Sequence, residues 1–83
     1  DIIAISGLEH AASKQIRNFS SGMKQRLKLT LAILTESDVL ILDEPCSNLD
    51  RNAILWYQNT LKIYLNDRLL FVASNHQIEL HKG

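Results

Sequence analysis

Cysteine, proline and glycine are all scarce in this chain. Cys46 is the only thiol, which excludes an internal disulfide framework and fits a reducing compartment. One proline and three glycines exclude a collagen-like repeat or a flexible linker. With 46% apolar and 22% charged residues, the composition is that of a chain that packs, not of a disordered tail. Long hydrophobic runs are missing too. Stretches such as Leu69 to Ala73 and Val39 to Leu42 fall far short of the roughly 20 residues that a membrane-spanning helix needs. No secretory leader is recognisable, and a first residue of Asp1 rather than Met reads as an excerpt of a longer chain. At 83 residues the sequence is one small domain or a piece of one, and such a chain buries only about 60% of its unfolded surface.

Charge of either sign is not in excess: nine cations balance nine carboxylates, so net charge does not point to a partner. Its order along the chain is more informative. Lys14, Arg17, Lys24, Arg26 and Lys28 lie between His10 and Thr35 with no acid among them. Glu36, Asp38, Asp43, Glu44 and Asp50 follow with no cation before Arg51. A basic block beside an acidic block fits an anion site next to a metal site; two solvated faces would give the same pattern.

The periodicity predicts a strand–helix–strand core preceded by helices. Leu8 to Arg17 reads as a short helix ending near Asn18. Ser20 and Ser21 are both good N-caps, and Met23, Leu27, Leu31 and Leu34 recur at helical spacing, predicting a helix from Ser21 to Thr35. Val39 to Asp43, closed by Pro45, reads as a buried strand. Asp50 is placed to cap a helix from Arg51 to Asn66, whose apolar face carries Ile54, Tyr57, Leu61 and Tyr64 or Leu65. Leu69 to Ser74 reads as a second buried strand. This order implies a right-handed parallel crossover, and two such strands need further strands from elsewhere to cover them.

Side chains alternate along a strand, so Val39, Ile41 and Asp43 share one face while Leu40, Leu42 and Glu44 share the other. Two adjacent carboxylates are thereby delivered to the C-terminal edge of the sheet, where ligands of open α/β sheets bind. One can hold Mg²⁺ while the other orients and deprotonates a water; a pair of surface acids leaving a strand is the plain alternative. Ser20, Ser21 and Gly22 open a helix, and the amides and positive dipole of such a start suit a phosphate, with Gly22 allowing close backbone approach. A simple N-cap would look the same. Ser47 to Asp50 is a capping turn or part of a site, and His76, after the second strand, is a loop residue or a titrating group at that edge.

Taken together and in this order, Phe19–Met23, Val39–Glu44, Ser47–Asp50 and His76 resemble the C-terminal half of an ATP-binding cassette (ABC) ATPase, the motor subunit of ABC transporters. The resemblance covers roughly Asn18 to Gln77. It implies an α/β fold, a P-loop NTPase-type parallel sheet fragment with part of the helical subdomain in residues 1–35 and the C-terminal part of the nucleotide-binding core in residues 36–83. By the same resemblance Phe19 to Met23 is the signature motif, with Ser20, Ser21, Gly22 and Met23 contacting ATP. Val39 to Glu44 is the Walker B strand, with Asp43 on the Mg²⁺ side and Glu44 as catalytic base. Ser47 to Asp50 is the D-loop, with Asp50 at the nucleotide, and His76 is the switch histidine that senses the γ-phosphate. In the family two cassettes face each other head to tail, so the signature motif serves the partner's ATP and the other residues serve the subunit's own. The expected partners are a second ABC ATPase subunit and a transmembrane permease that holds the ATPase at the cytoplasmic face of the membrane.

The sequence departs from the family pattern in places. Phe19 stands for Leu, Ser21 for the first Gly, and Met23 for Gln, which removes a polar contact. Cys46 stands where Thr is common and reads as a small buried residue. No pair of glycines fits the phosphate loop G-x-x-x-x-G-K-[ST], so the 83 residues are not expected to bind or hydrolyse ATP alone. In the family the phosphate-loop strand pairs beside the strand at Leu69–Ser74, which predicts an exposed edge and self-association here. A ribosome- or DNA-associated ABC ATPase and a degenerate partner-binding module are the alternatives. The Lys24, Arg26, Lys28 run lacks interleaved aromatics, and no nucleic acid is expected.

Overall fold

The computed structural model describes residues 1–11, 13, 15–75 and 77–82, without the side chains of residues 16 and 82. The chain begins with α1 (Ile2–Ser6), capped by the Asp1 carboxylate, which accepts from the Ile3 amide at 2.9 Å. Gly7 ends it at φ 74°, the left-handed conformation that glycine adopts without steric cost. Two 3₁₀ turns follow, Glu9–Ala11 and Ile16–Asn18. The helix expected over Leu8–Arg17 is therefore not formed as one element. Among the described residues of that stretch Leu8 and Ala11 are buried, and the Ala11 amide donates to the Leu8 carbonyl at 2.9 Å, an i→i−3 bond that closes a single tight turn.

α2 (Ser21–Leu34) starts where the sequence indicates, with Ser20 as its cap. Its buried face is not the expected one. Leu29, Thr30 and Ile33 point inward, whereas Leu31 is 46% exposed. Leu29 and Ile33 repeat four apart just as Met23, Leu27 and Leu31 do, so spacing alone could not separate the two stripes; contact with the sheet does. α3 (Arg51–Tyr64) presents Ala53, Tyr57 and Thr60 inward, with Leu61, Tyr64 and Leu65 packed against the same core.

β1 (Val39–Asp43), β2 (Leu69–Ser74) and β3 (Gln77–Lys82) form one sheet in that order. β1 and β2 are parallel, with Leu42 opposite Val72, and α3 connects them. β3 returns antiparallel along the other side of β2, with Leu80 opposite Phe71. The β2 edge expected to lie open is thus paired, and the sheet of this α/β fold is mixed. This strand was not expected, although Gln77–Lys82 carries Ile78 and Leu80 alternating with polar residues, a period-2 strand signal; its apolar side faces outward.

The core lies on one face of the sheet, where Leu40, Leu42 and Leu70 meet Leu29, Ile33 and Tyr57. The opposite face is uncovered: Ile41 is 70% and Ile78 74% exposed. The strands were expected to be buried on both sides, as parallel strands usually are; here helices cover only one. Arg68 ties the base of the structure together. Its guanidinium donates to the Ile33 and Thr35 carbonyls at the end of α2 and to the Tyr64 and Leu65 carbonyls at the end of α3, at 2.7 to 3.2 Å. A cation at two helix C-termini satisfies carbonyls that have no partner within their helices. At the other end, Trp56 of α3 donates its indole N–H to the Ile5 carbonyl at 2.7 Å, and the Arg26 guanidinium lies 4.9 Å from the Trp56 ring centroid. Arg26 also donates to the Ser6 carbonyl at 3.2 Å, so that these contacts hold α1 against α2 and α3. Among the described residues no helix is long and apolar enough to cross a membrane.

Candidate functional site

Most of the described residues singled out from the sequence line one of two clefts. The first, about 400 Å³, lies at the C-terminal edge of the sheet and is lined by Asp43, Glu44, Ser74 and Asn75 among others. β1 alternates as expected, so Asp43 falls on the uncovered face with Ile41, and its carboxylate is exposed. Glu44 takes the chain out of the strand. Its amide donates to the Ala73 carbonyl at 2.7 Å, extending the β1–β2 ladder by one bond. Its Oε1 accepts the Asn75 amide at 2.7 Å, while its Oε2 is 3.5 Å from the Ser74 hydroxyl. One carboxylate oxygen is therefore firmly bonded and the other only loosely.

Glu44 also carries a left-handed backbone, φ 47°. Among the described residues, the other non-glycine residues with positive φ are asparagines, at positions 48, 66 and 75, and asparagine tolerates this region through its short polar side chain. A glutamate there carries strain of order 1–3 kcal/mol and persists only where the surroundings over-determine it. The surroundings do so. The Glu44 carbonyl accepts from the Ser47 amide at 3.0 Å and from Gln25 Nε2 at 3.2 Å, and the same Nε2 donates to the Pro45 carbonyl at 3.0 Å.

The second cleft, about 380 Å³, lies at the start of α2 and is lined by Ser20, Gly22, Met23, Arg26, Asn48 and Asp50 among others. Ser20 caps α2, its hydroxyl oxygen accepting from the Met23 amide at 3.1 Å. Asp50 caps α3 in the same way, accepting from the Ala53 amide at 2.8 Å. The Ser21 and Gly22 amides belong to the first turn of α2, where a helix offers no internal acceptor. Ser21 is exposed and does not line the cleft. Gly22 meets the turn before α3 closely: a Cβ at this position would lie 2.9 Å from the Asn48 carbonyl oxygen. Glycine is required here because a backbone atom fills the space.

The structure thus brings Asp43 and Glu44 together, and separately Ser20, Gly22, Met23 and Asp50. His76 lies outside the described residues. Gln25, Ser74 and Asn75 were not singled out as site residues; each reaches Glu44 from a distant part of the chain, and no local spacing announces that. Cys46, expected to be buried, is exposed. It sits in the turn after the buried Pro45, at the rim of the core, where partial burial pushes its thiol pKa up. Beneath it, burial and then the neighbouring Cys46 push the Tyr57 phenol up to about 12.

Comparison with known proteins decides what this arrangement belongs to. The ABC transporter family model matches residues 1–47, more than half of the chain. The chain belongs to the ABC transporter family. The match takes in Ser20–Met23, Asp43 and Glu44, and it ends before Asp50. Among ABC relatives, the bacitracin transport ATP-binding protein BcrA of Bacillus licheniformis is 33% identical over 84 aligned positions, which cover 99% of this chain and 28% of BcrA. The molybdenum import ATP-binding protein ModC of Photorhabdus laumondii is 35% identical over 77 positions, covering 89% of this chain and 22% of ModC. "Probable ATP-binding protein YheS" of Escherichia coli K12 is 39% identical over 57 positions, covering 69% of this chain and 9% of that protein. The chain thus spans between 9% and 28% of the length of these three relatives.

Proposed function

We propose that this chain supplies the signature and Walker B portions of an ABC ATPase that hydrolyses ATP to drive a membrane permease. Residues 1–35 belong to its helical subdomain and residues 36–83 to its nucleotide-binding core. The observation that carries this reading is the placement of Glu44, a carboxylate held at the C-terminal edge of a parallel strand pair beside Asp43, in a cleft apart from that of Ser20 and Gly22. Two separate clefts suit a head-to-tail dimer in which each subunit contributes to two different nucleotides.

The residues fit the groups that this chemistry needs. Asp43 offers an exposed oxygen donor, and among the described residues no cluster of three or more His, Cys, Asp or Glu could hold a metal by itself. That suits Mg²⁺, which takes one or two carboxylates and fills its other positions with water and phosphate oxygens. When bound there, Mg²⁺ neutralises charge on the phosphates. Glu44 is the general base. The Asn75 amide fixes Oε1 and so aims the carboxylate, leaving Oε2 to take the proton of the attacking water. Ser20 accepts the Met23 amide through its lone pair, so its own proton remains for a phosphate oxygen of the partner's ATP. The Ser21 and Gly22 amides and the positive end of α2 favour the same anion. His76 follows Asn75 directly and is assigned to sensing the γ-phosphate.

The phosphate loop is to come from elsewhere in the cassette, and the 83 residues alone are not expected to turn over ATP. The test is Glu44→Gln in the complete cassette, which traps an ATP-bound dimer and nearly abolishes turnover; normal turnover would end the assignment. The names of BcrA and ModC state transport, which supports the permease as partner. The name of YheS states ATP binding alone, which keeps a non-transport ABC ATPase as the second reading. Co-purification with a membrane permease separates the two.

A further inference from the structure

Resting on the assignment of Glu44 as catalytic base, we propose that Gln25 is a positioning residue that ties the catalytic backbone to the signature helix, so that the state of one cleft sets the base in the other. The Glu44 backbone is strained, and the contacts that hold it come from three places. The Ala73 carbonyl takes its amide from β2, the Ser47 amide reaches its carbonyl from the following turn, and Gln25 reaches it from α2. The Gln25 contact is double, to the Glu44 carbonyl at 3.2 Å and the Pro45 carbonyl at 3.0 Å. Two carbonyl oxygens can be satisfied together only by the NH₂ side of the amide, which fixes its orientation.

Gln25 is five residues beyond the Ser20 cap and two beyond Met23, on the same continuous helix. A helix moves as a unit over so short a span, so a shift of its first turn on an anion is passed to the peptide units on either side of Pro45. A second contact supports this path: Gly22 abuts the Asn48 carbonyl, in the turn that runs from Pro45 to the Asp50 cap. The start of α2 thus touches both ends of the segment that carries Glu44 into α3, and it adds a hydrogen bond only through Gln25. Loss of that bond leaves the nucleotide contacts in place and lets the Glu44 backbone relax. The effect falls on the chemical step and not on ATP binding.

The experiment is steady-state ATPase kinetics of the complete cassette with Gln25→Met and Gln25→Glu, beside Glu44→Gln. Methionine keeps the length and volume of the side chain and removes the donor. We expect kcat to fall about tenfold, about 1.4 kcal/mol in the barrier, with KM for ATP within about twofold of the parent. Glutamate keeps the shape but, when ionised, sets a carboxylate against two carbonyls. Its carboxylate cannot donate at all at neutral pH, so the kcat of Gln25→Glu should fall at least as far as that of Gln25→Met, again with KM for ATP within about twofold of the parent. A strut that merely stabilises the fold would lower the denaturant midpoint of both variants while leaving kcat per folded molecule at the parent value, and that result overturns the proposal. So do both variants with kcat within about twofold of the parent while Glu44→Gln is inactive. Normal turnover in Glu44→Gln removes the base itself, and the proposal then falls with that reading.

Discussion

The two clefts are built by different means. The Ser20 cleft is made at helix starts, by residues that cap their own helices over three positions: Ser20 to Met23 and Asp50 to Ala53. The Glu44 cleft is made by contacts across the chain, with Ser74 and Asn75 thirty and thirty-one positions away and Gln25 nineteen. Local capping places the proposed anion-binding groups with little ordering of distant chain but orients them only as well as the helix itself. Long-range bonds cost more chain ordering and, in return, hold a single carboxylate in a backbone conformation that it would not adopt alone. A site that binds an anion can tolerate the first. A site that moves a proton requires the second.

The contrast predicts unequal losses. Glu44→Gln keeps the hydrogen-bonding shape and removes the proposed base, so turnover of the complete cassette should fall by roughly 10²- to 10⁴-fold, with ATP binding retained in a nucleotide-binding assay. Ser20→Ala should cost far less in turnover, since the Ser21 and Gly22 amides remain. Equal losses in the two variants would erase the distinction between the clefts.

Gly22→Ala probes where the two ways of building meet. The new methyl would stand 2.9 Å from the Asn48 carbonyl oxygen, a backbone atom that cannot swing aside. The turn before α3 must shift, at about 1–3 kcal/mol as in other overpacked sites. Denaturant unfolding reads the loss, and because that turn continues from Glu44, kcat should drop with it. Gly22→Ala with parental stability would mean that the turn yields freely. Smaller still are the caps. Ser20→Ala and Asp50→Ala each remove one side-chain acceptor at a helix start, worth about 1 kcal/mol, and the two losses should be similar because the two bonds are alike at 3.1 and 2.8 Å.

How far the sequence could be read follows the same division. The caps at Ser20 and Asp50, both parallel strands and the alternation that separates Asp43 from Glu44 are written in neighbouring residues, and the structure shows them where the spacing puts them. What was not legible depends on distant partners. Leu29 and Ile33, not Leu27 and Leu31, face the sheet because of where β1 lies. The alternation of β3 is visible in its own residues, but its antiparallel place beside β2 and the outward turn of its apolar side are not. Cys46 is exposed because Pro45 takes the buried position in that turn. Gln25 was visible as a polar residue on α2, and only the folded chain shows that it meets the Glu44 and Pro45 carbonyls.

The smallest effect concerns the floor under the Glu44 turn. Tyr57 is 6% exposed on α3, and burial, with Cys46 second, raises its phenol from 10.0 to about 12. The protonated phenol is the form that the folded chain favours, so the unfolded chain releases this proton first as pH rises. Stability from Tyr57 is fully present below its unfolded pKa, declines as pH climbs past 10, and is lost at about 12. In the cassette, denaturant midpoints measured across that interval should therefore fall more steeply for the parent than for Tyr57→Phe, which has no proton to lose. Parallel slopes would show that the phenol is solvated in the folded chain, and that the packing beneath Pro45 and Cys46 is looser than the long-range bonds above it.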